Sequence, residues 1–304
     1  FWLKPFGRPP SSHRRDLRVR ARPADLAMPS LRMLRFETVD WEAEDTKRPI
    51  IDVKAAFAEM LAMALFVIMG CGAACGYGAS TTETKLIVAF AFGMSILVLA
   101  YSVTHLSGGH INCAVTFSLV LGGALPWYQG LANLFAQLVG SLMGAGVLAA
   151  VFPCGKDETG NLGSNIVSED FGSGRALFAE AVGTFLLCTV VWQVAVSPLS
   201  RAGPNTALAI GFAVFIAHIF LLPIDGCSIN PTRSFGPAVV SYLRGCGNYA
   251  PGGLEQLWIM WVGPLLGAAL AAGLKVFFQP KVLQPPAVKP PADAESQVAG
   301  RRSE

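Results

Sequence analysis

Two nine-residue stretches hold the residue types best able to do more than pack. They are His110–Ser118 (HINCAVTFS) and Ser228–Gly236 (SINPTRSFG). In each, an Ile-Asn pair stands just before a small, partly apolar segment. An asparagine at a helix start accepts a backbone N–H with its side-chain oxygen, which leaves its amide NH₂ to face a lumen. Pro231 follows Asn230, and proline suits the first helical position because the N–H it lacks has no partner there. The first helical turn also exposes backbone N–H groups and a partial positive charge of about half an elementary unit. The residues ahead of each Asn, Gly108-Gly109-His110-Ile111 and Gly226-Cys227-Ser228-Ile229, are read as extended and would present carbonyl oxygens. Donors at a centre and acceptors along its walls suit small neutral polar molecules. A positive centre disfavours cations and protons.

The rest of the chain says what must position these groups. Of 304 residues 53% are hydrophobic and only 14% charged, against about 25% charged in soluble domains. No Asp, Glu, Lys or Arg occurs from Leu86 to Gly155, and only Arg201 occurs from Ala181 to Ile224. A spanning helix needs about 20 apolar residues, so the pattern predicts an integral, multi-pass, all-α membrane protein. Six spans are expected near Val53–Cys75, Leu86–His105, Trp127–Phe152, Ala176–Ser197, Thr206–Leu222 and Gln256–Phe278. Cys113–Leu121 and Pro231–Val240 are apolar but too short to cross. They read as re-entrant half-helices, tolerated where protein or water surrounds their ends.

Three landmarks recur at nearly one offset, 118 to 123 residues: Asn112 and Asn230, Ala58-Glu59 and Ala179-Glu180, Gly140/Gly144 and Gly263/Gly267. Each repeat has three spans, so the second copy runs with inverted topology and the two half-helices meet from opposite faces. The repeats cover about 53–152 and 176–278, inside a channel-like domain 51–279. Six spans put both tails on one side. Arg35, Lys47, Arg48, Lys54, Arg201 and Lys281 mark that side as cytoplasmic by the positive-inside rule. The membrane is expected to be the plasma membrane or an intracellular one. Residues 1–50 hold eleven Lys/Arg and seven Asp/Glu with Pro-rich patches, and read as a disordered basic tail. Without an initial Met, the segment reads as an incomplete or untranslated leader or a targeting peptide. Residues 280–304 are Pro/Ala-rich and read as a second disordered tail.

Net charge is +3, too small to suggest nucleic acid as a partner. There is no nucleophile–base pair, phosphate loop or metal cluster, so neither an enzyme nor a cofactor or metal site is expected. The seven cysteines, Cys71, Cys75, Cys113, Cys154, Cys188, Cys227 and Cys246, read as free, buried, inert thiols. A coupled secondary transporter would need intramembrane acids, and the run Leu86–Gly155 has none.

The residues Ala58-Glu59, His105–Thr116, Ala179–Thr184 and Gly226–Gly236 resemble those of the aquaporins, in the major intrinsic protein family. The resemblance covers about Val53–Phe278. It implies six tilted helices plus two half-helices set in membrane lipid, a homotetramer with one pore per subunit, and passive water flow through that pore. The family's two Asn-Pro-Ala motifs are here Asn112-Cys113-Ala114 and Asn230-Pro231-Thr232. Cys113 replaces a proline and Thr232 an alanine, and both changes could alter pore width or hydration. By motif spacing the family's narrow ring falls on Phe92, His218, Cys227 and Arg233, similar to the water-selective version. In that ring Phe92 and His218 narrow the path, and Arg233 donates hydrogen bonds while repelling cations. Glycerol-conducting relatives usually carry a smaller residue for the His and Asp after the Arg; here Ser234 follows Arg233. The pore carbonyls implied are those of Gly108, Gly109, His110, Ile111, Gly226, Ser228 and Ile229. Glu59 and Glu180 are expected to hold loop amides. The alternatives are a facilitator for glycerol, hydrogen peroxide or ammonia, and a poorly conducting junctional or structural membrane protein.

Overall fold

The computed structural model describes residues 50–246 and 252–278; the two tails expected at 1–50 and 280–304 lie outside the described residues, apart from Ile50. Six long helices cross: α1 Val53–Tyr77, α2 Thr82–Ser107, α4 Trp127–Val151, α5 Ser173–Val191, α6 Thr206–Asp225 and α9 Ile259–Phe278. A π-helical turn, Trp192–Val196, extends α5. Two short helices follow the asparagines: α3 Cys113–Leu121 and α7 Pro231–Arg244. A single turn, α8 Gly252–Glu255, precedes α9. At 1.5 Å per residue the 25 residues of α1 span about 37 Å, enough for a bilayer core of about 30 Å, whereas α3 spans about 13 Å and α7 about 21 Å.

Local chemistry places the ends. Asp52 caps α1 by accepting from the amides of Lys54 and Ala55. Thr81 and Thr84 form a capping box, so α2 begins four residues before the first apolar residue of its span. The helix α7 runs past the expected Val240 to Arg244, where Gly245 takes a left-handed φ of 66° and stops it. On α1 the buried Glu59, Met63, Phe66, Val67, Gly70 and Cys71 face inward, while Phe57, Leu61, Leu65 and Met69 are exposed. An exposed face with no charge on it needs lipid or another apolar surface to cover it.

The two halves pack by the same plan. The helix α1 packs on α2 and α4 as α5 packs on α6 and α9, and α2 meets α6 between the halves. Each half-helix crosses over: α3 packs on α9 of the second half and α7 on α4 of the first. Glycines permit this. A Cβ on Gly140 would lie 2.1 Å from the Met60 carbonyl oxygen, and one on Gly267 would lie 2.1 Å from that of Ala181. In the absence of a hydrophobic drive between helices in lipid, such close backbone approach supplies the packing.

One expectation is corrected here. Cys154 and Cys246 are not free: they form a disulfide, 92 residues apart in sequence. Cys154 lies beyond the third span and Cys246 beyond α7, so both sit outside the apolar helices, on the face opposite the start of α1 and the end of α9. Inspection of the chain alone could not pair two such distant loops. The other five cysteines are free and buried.

Candidate functional site

Each Asn caps its half-helix and reaches across to the other half. Asn112 Oδ1 accepts from the amides of Ala114 (2.8 Å) and Val115 (3.4 Å), while its Nδ2 donates to the Ile229 carbonyl at 2.8 Å. Asn230 Oδ1 accepts from the Arg233 amide at 3.1 Å, and its Nδ2 donates to the Ile111 carbonyl at 2.8 Å. The expectation that both amide hydrogens are left for a lumen is therefore corrected: one of each pair ties the two half-helices together, and one remains. The carbonyls of Ile111 and Ile229 are likewise engaged by these side chains.

The segments before the asparagines are not extended. Gly108, Gly109 and Ile111 have φ of 89°, 63° and 49°, and Gly226, Cys227 and Ile229 have 82°, 58° and 43°. A β-branched residue at positive φ is strained, by roughly 1–3 kcal/mol, and persists only where its surroundings dictate it. Here two buried carboxylates dictate it. Glu59 accepts from the amides of His110 (2.9 Å) and Ile111 (2.7 Å), the hydroxyl of Ser107 (2.7 Å) and the side chain of Gln137 (2.7 Å). Glu180 accepts from the amides of Ser228 (2.7 Å) and Ile229 (2.6 Å). Successive N–H groups converging on an anion form a nest. In a trans peptide the C=O points opposite to the N–H of the same unit. The carbonyls of Gly109, His110, Cys227 and Ser228 therefore point away from the two glutamates.

The two departures from Asn-Pro-Ala meet each other. A cysteine at the first position of α3 has an N–H that a proline lacks, and this N–H donates to Thr232 Oγ1 at 3.4 Å. The Thr232 hydroxyl lies 2.7 Å from Asn230 Oδ1 and 3.2 Å from Gln137 Oε1, and donates its one hydrogen to one of them at a time. Thr232 is fully buried, so it acts on the junction rather than on solvent. Thr232→Ala is expected to orphan the Cys113 amide at a cost of about 1–3 kcal/mol, lowering the melting temperature by several degrees. Cys113→Pro removes the orphan, because Asn112 already has the extended conformation (φ −165°, ψ 118°) that a residue before proline prefers. The double variant should therefore melt closer to the native protein than Thr232→Ala does, as a thermal double-mutant cycle would read.

Three of the four ring residues touch. Phe92 stacks on His218 with centroids 4.4 Å apart and planes at 22°, and the Arg233 guanidinium carbon lies 4.7 Å from the Phe92 centroid. His218 Nδ1 lies 2.8 Å from the Val214 carbonyl, which can only accept, so Nδ1 carries the hydrogen and a neutral ring offers Nε2 as an acceptor. His218 Nε2 and Arg233 Nε are buried without a protein partner. Cys227 is buried in the same core and donates its amide to Asp225 Oδ1 at 3.0 Å.

Sequence reading missed the groups behind these. Arg233 Nη1 donates to the Gly163 carbonyl (3.0 Å) and to Asn165 Oδ1 (2.7 Å), both in the segment between the expected third and fourth spans. Nothing in its composition tied it to Arg233. Gln137, which joins Glu59 to Thr232, did leave a signal. Gln129, Asn133 and Gln137 recur every four residues on one face of an uncharged span, and polar groups at membrane depth are functional candidates.

Among known proteins, the chain is 38% identical to aquaporin-5 of Homo sapiens over 220 residues, 72% of this chain and 78% of that one. It is 37% identical to aquaporin-4 of Homo sapiens over 224 residues, 73% of this chain and 66% of the relative. Its fold is similar to the X-ray structure of the aquaglyceroporin from Plasmodium falciparum, with a TM-score of 0.66 over 73% of this chain and 94% of that one, at 18% identity. The family description "Major intrinsic protein" matches residues 46–274, from before the first span almost to the end of the sixth. A match of that extent takes in both half-helices and every helix that holds them, and the chain belongs to the major intrinsic protein family.

Proposed function

We propose that this protein is a passive, osmotically driven water channel of the membrane. The observation that carries the reading is the reciprocal bond pair Asn112 Nδ2 to the Ile229 carbonyl and Asn230 Nδ2 to the Ile111 carbonyl. It brings two helix N-termini and two amides, each with one N–H to spare, to one point between the repeats. Water passing there meets donors and positive dipole ends, which orient its oxygen inward and oppose a proton wire. Phe92, His218, Cys227 and Arg233 serve as the selectivity filter, and the carbonyls of Gly108, Gly109, His110, Gly226 and Ser228 as the acceptor wall. The chemistry is non-covalent throughout. The functional unit is residues 51–279, assembled as a homotetramer with one pore per subunit. Both tails face the cytoplasm. A disulfide on the opposite face supports this orientation, because disulfides persist on the oxidising side of a cell membrane.

Stopped-flow shrinkage of proteoliposomes under sucrose, and then under glycerol, tests the reading. Fast water flow without glycerol entry is expected. Equal entry of both would reject the assignment of Phe92 and His218 to the filter.

A further inference from the structure

We propose that Asn165 and the Cys154–Cys246 disulfide together form a clamp that positions Arg233, so that exclusion of glycerol-sized solutes depends on an intact disulfide. The proposal rests on the water-channel reading of the same site. Asn165 is buried and its side-chain oxygen serves the filter. Its Oδ1 accepts from Arg233 Nη1 and from Ser234 Oγ, both at 2.7 Å, and its Nδ2 donates to the Asp225 carbonyl at 3.2 Å. A guanidinium has a fixed planar fork, so its direction is set by where its acceptors are held. These acceptors lie in a segment with little regular structure, and cross-links hold that segment in place. Glu158 donates its amide to the Cys75 carbonyl at the end of α1. Asp157 Oδ2 accepts from the Leu162 amide at 2.8 Å and pairs with Arg244 at 3.7 Å. Gly163, at φ 71°, sits so close to α1 that a Cβ would lie 3.1 Å from that of Cys71. The disulfide ties the start of this segment to the residue just past α7, and Arg233 stands in the first turn of α7. Both ends of α7 are thereby fastened to one loop. Cutting the disulfide removes the covalent tie at the loop start and leaves Arg244 to hold it non-covalently, through its pair with Asp157 and a bond to the Phe152 carbonyl.

The test compares untreated proteoliposomes with ones treated from outside by a membrane-impermeant phosphine. The phosphine cleaves the S–S bond to two thiols and takes its oxygen from water. Thiol labelling scores the cut, since the other five cysteines are buried. Reduction is expected to raise the glycerol-to-water permeability ratio roughly threefold, reversibly on reoxidation, and Asn165→Ala about tenfold, with water flow within about twofold of native. Asn165→Asp, which keeps the Oδ acceptor but loses the Nδ2 donor to the Asp225 carbonyl, should restore the ratio in part; a merely structural loss would not be rescued this way. Hydrogen exchange over residues 231–244 in detergent, faster after reduction, reads the clamp without any conduction. The proposal is overturned if verified reduction leaves the ratio unchanged, or if Asn165→Ala keeps the native ratio. Absence of water flow in untreated vesicles would instead count against the channel reading, and the exchange measurement then decides the clamp.

Discussion

Glu180→Ala leaves the amides of Ser228 and Ile229 buried with no acceptor, and the second half of the site comes apart. Hydrogen bonds to a charged group contribute about 1.5–3 kcal/mol each, so losing two costs about 3–6 kcal/mol. The Ile229 backbone, at φ 43°, loses the group that holds it in a strained conformation. Its carbonyl is the one that Asn112 Nδ2 bonds, so the damage reaches the junction of the half-helices. The expected outcome is a folded yield in detergent reduced several-fold, with water permeability near that of empty liposomes. Glu180→Gln keeps one acceptor oxygen and should recover part of the yield. Size-exclusion recovery and stopped-flow shrinkage check both. A Glu180→Ala variant with native yield and water flow would show that the nest holds itself. Glu59→Ala should be at least as damaging, since Glu59 also anchors Ser107 and Gln137.

Arg233→Ala should leave the fold and release the filter. The guanidinium lies over Phe92, and two of its bonds end on Gly163 and Asn165, neutral acceptors that water can satisfy after truncation. Removal opens the space beside Phe92 and takes a fixed cation from the path. Two like charges about 4 Å apart repel by roughly 4 kcal/mol near a protein surface, and each 1.36 kcal/mol is tenfold in rate. The cation and proton leak should therefore rise by about two to three orders of magnitude, and glycerol entry about tenfold or more. Arg233→Lys keeps the charge and loses the fork. It should hold back cations while letting more glycerol through, which separates the electrostatic role from the steric one. A pH-sensitive dye trapped in the vesicles measures the leak. If Arg233→Ala leaks no more than the native protein, the cation barrier lies elsewhere, at the two half-helix N-termini.

Much of the fold could be read from residue order because its causes are local. A long uncharged run can only be buried in lipid or protein, and an Asn followed by a short, partly apolar segment can only start a helix too short to cross. Such reasoning located six spans and both half-helices, with α3 bounded at Cys113 and Leu121 as expected. The recurrence of Ala-Glu, Asn and paired glycines gave the inverted repeat, because a motif needed at one end of a pseudo-two-fold axis is needed at the other.

What residue order left open was decided by contacts between distant parts of the chain. Cysteine-for-proline and threonine-for-alanine look like two separate departures until folding brings the Cys113 amide onto the Thr232 hydroxyl. The positive φ of Ile111 and Ile229 runs against the preference of a β-branched residue, and only carboxylates from two other helices impose it. Pairing Cys154 with Cys246, and aiming Arg233 at Asn165, required the loops to be in place. Periodicity records which face of a helix is buried, since that is a property of neighbours in sequence. Which amide, thiol or guanidinium meets which partner depends on distances that exist only once the helices have packed.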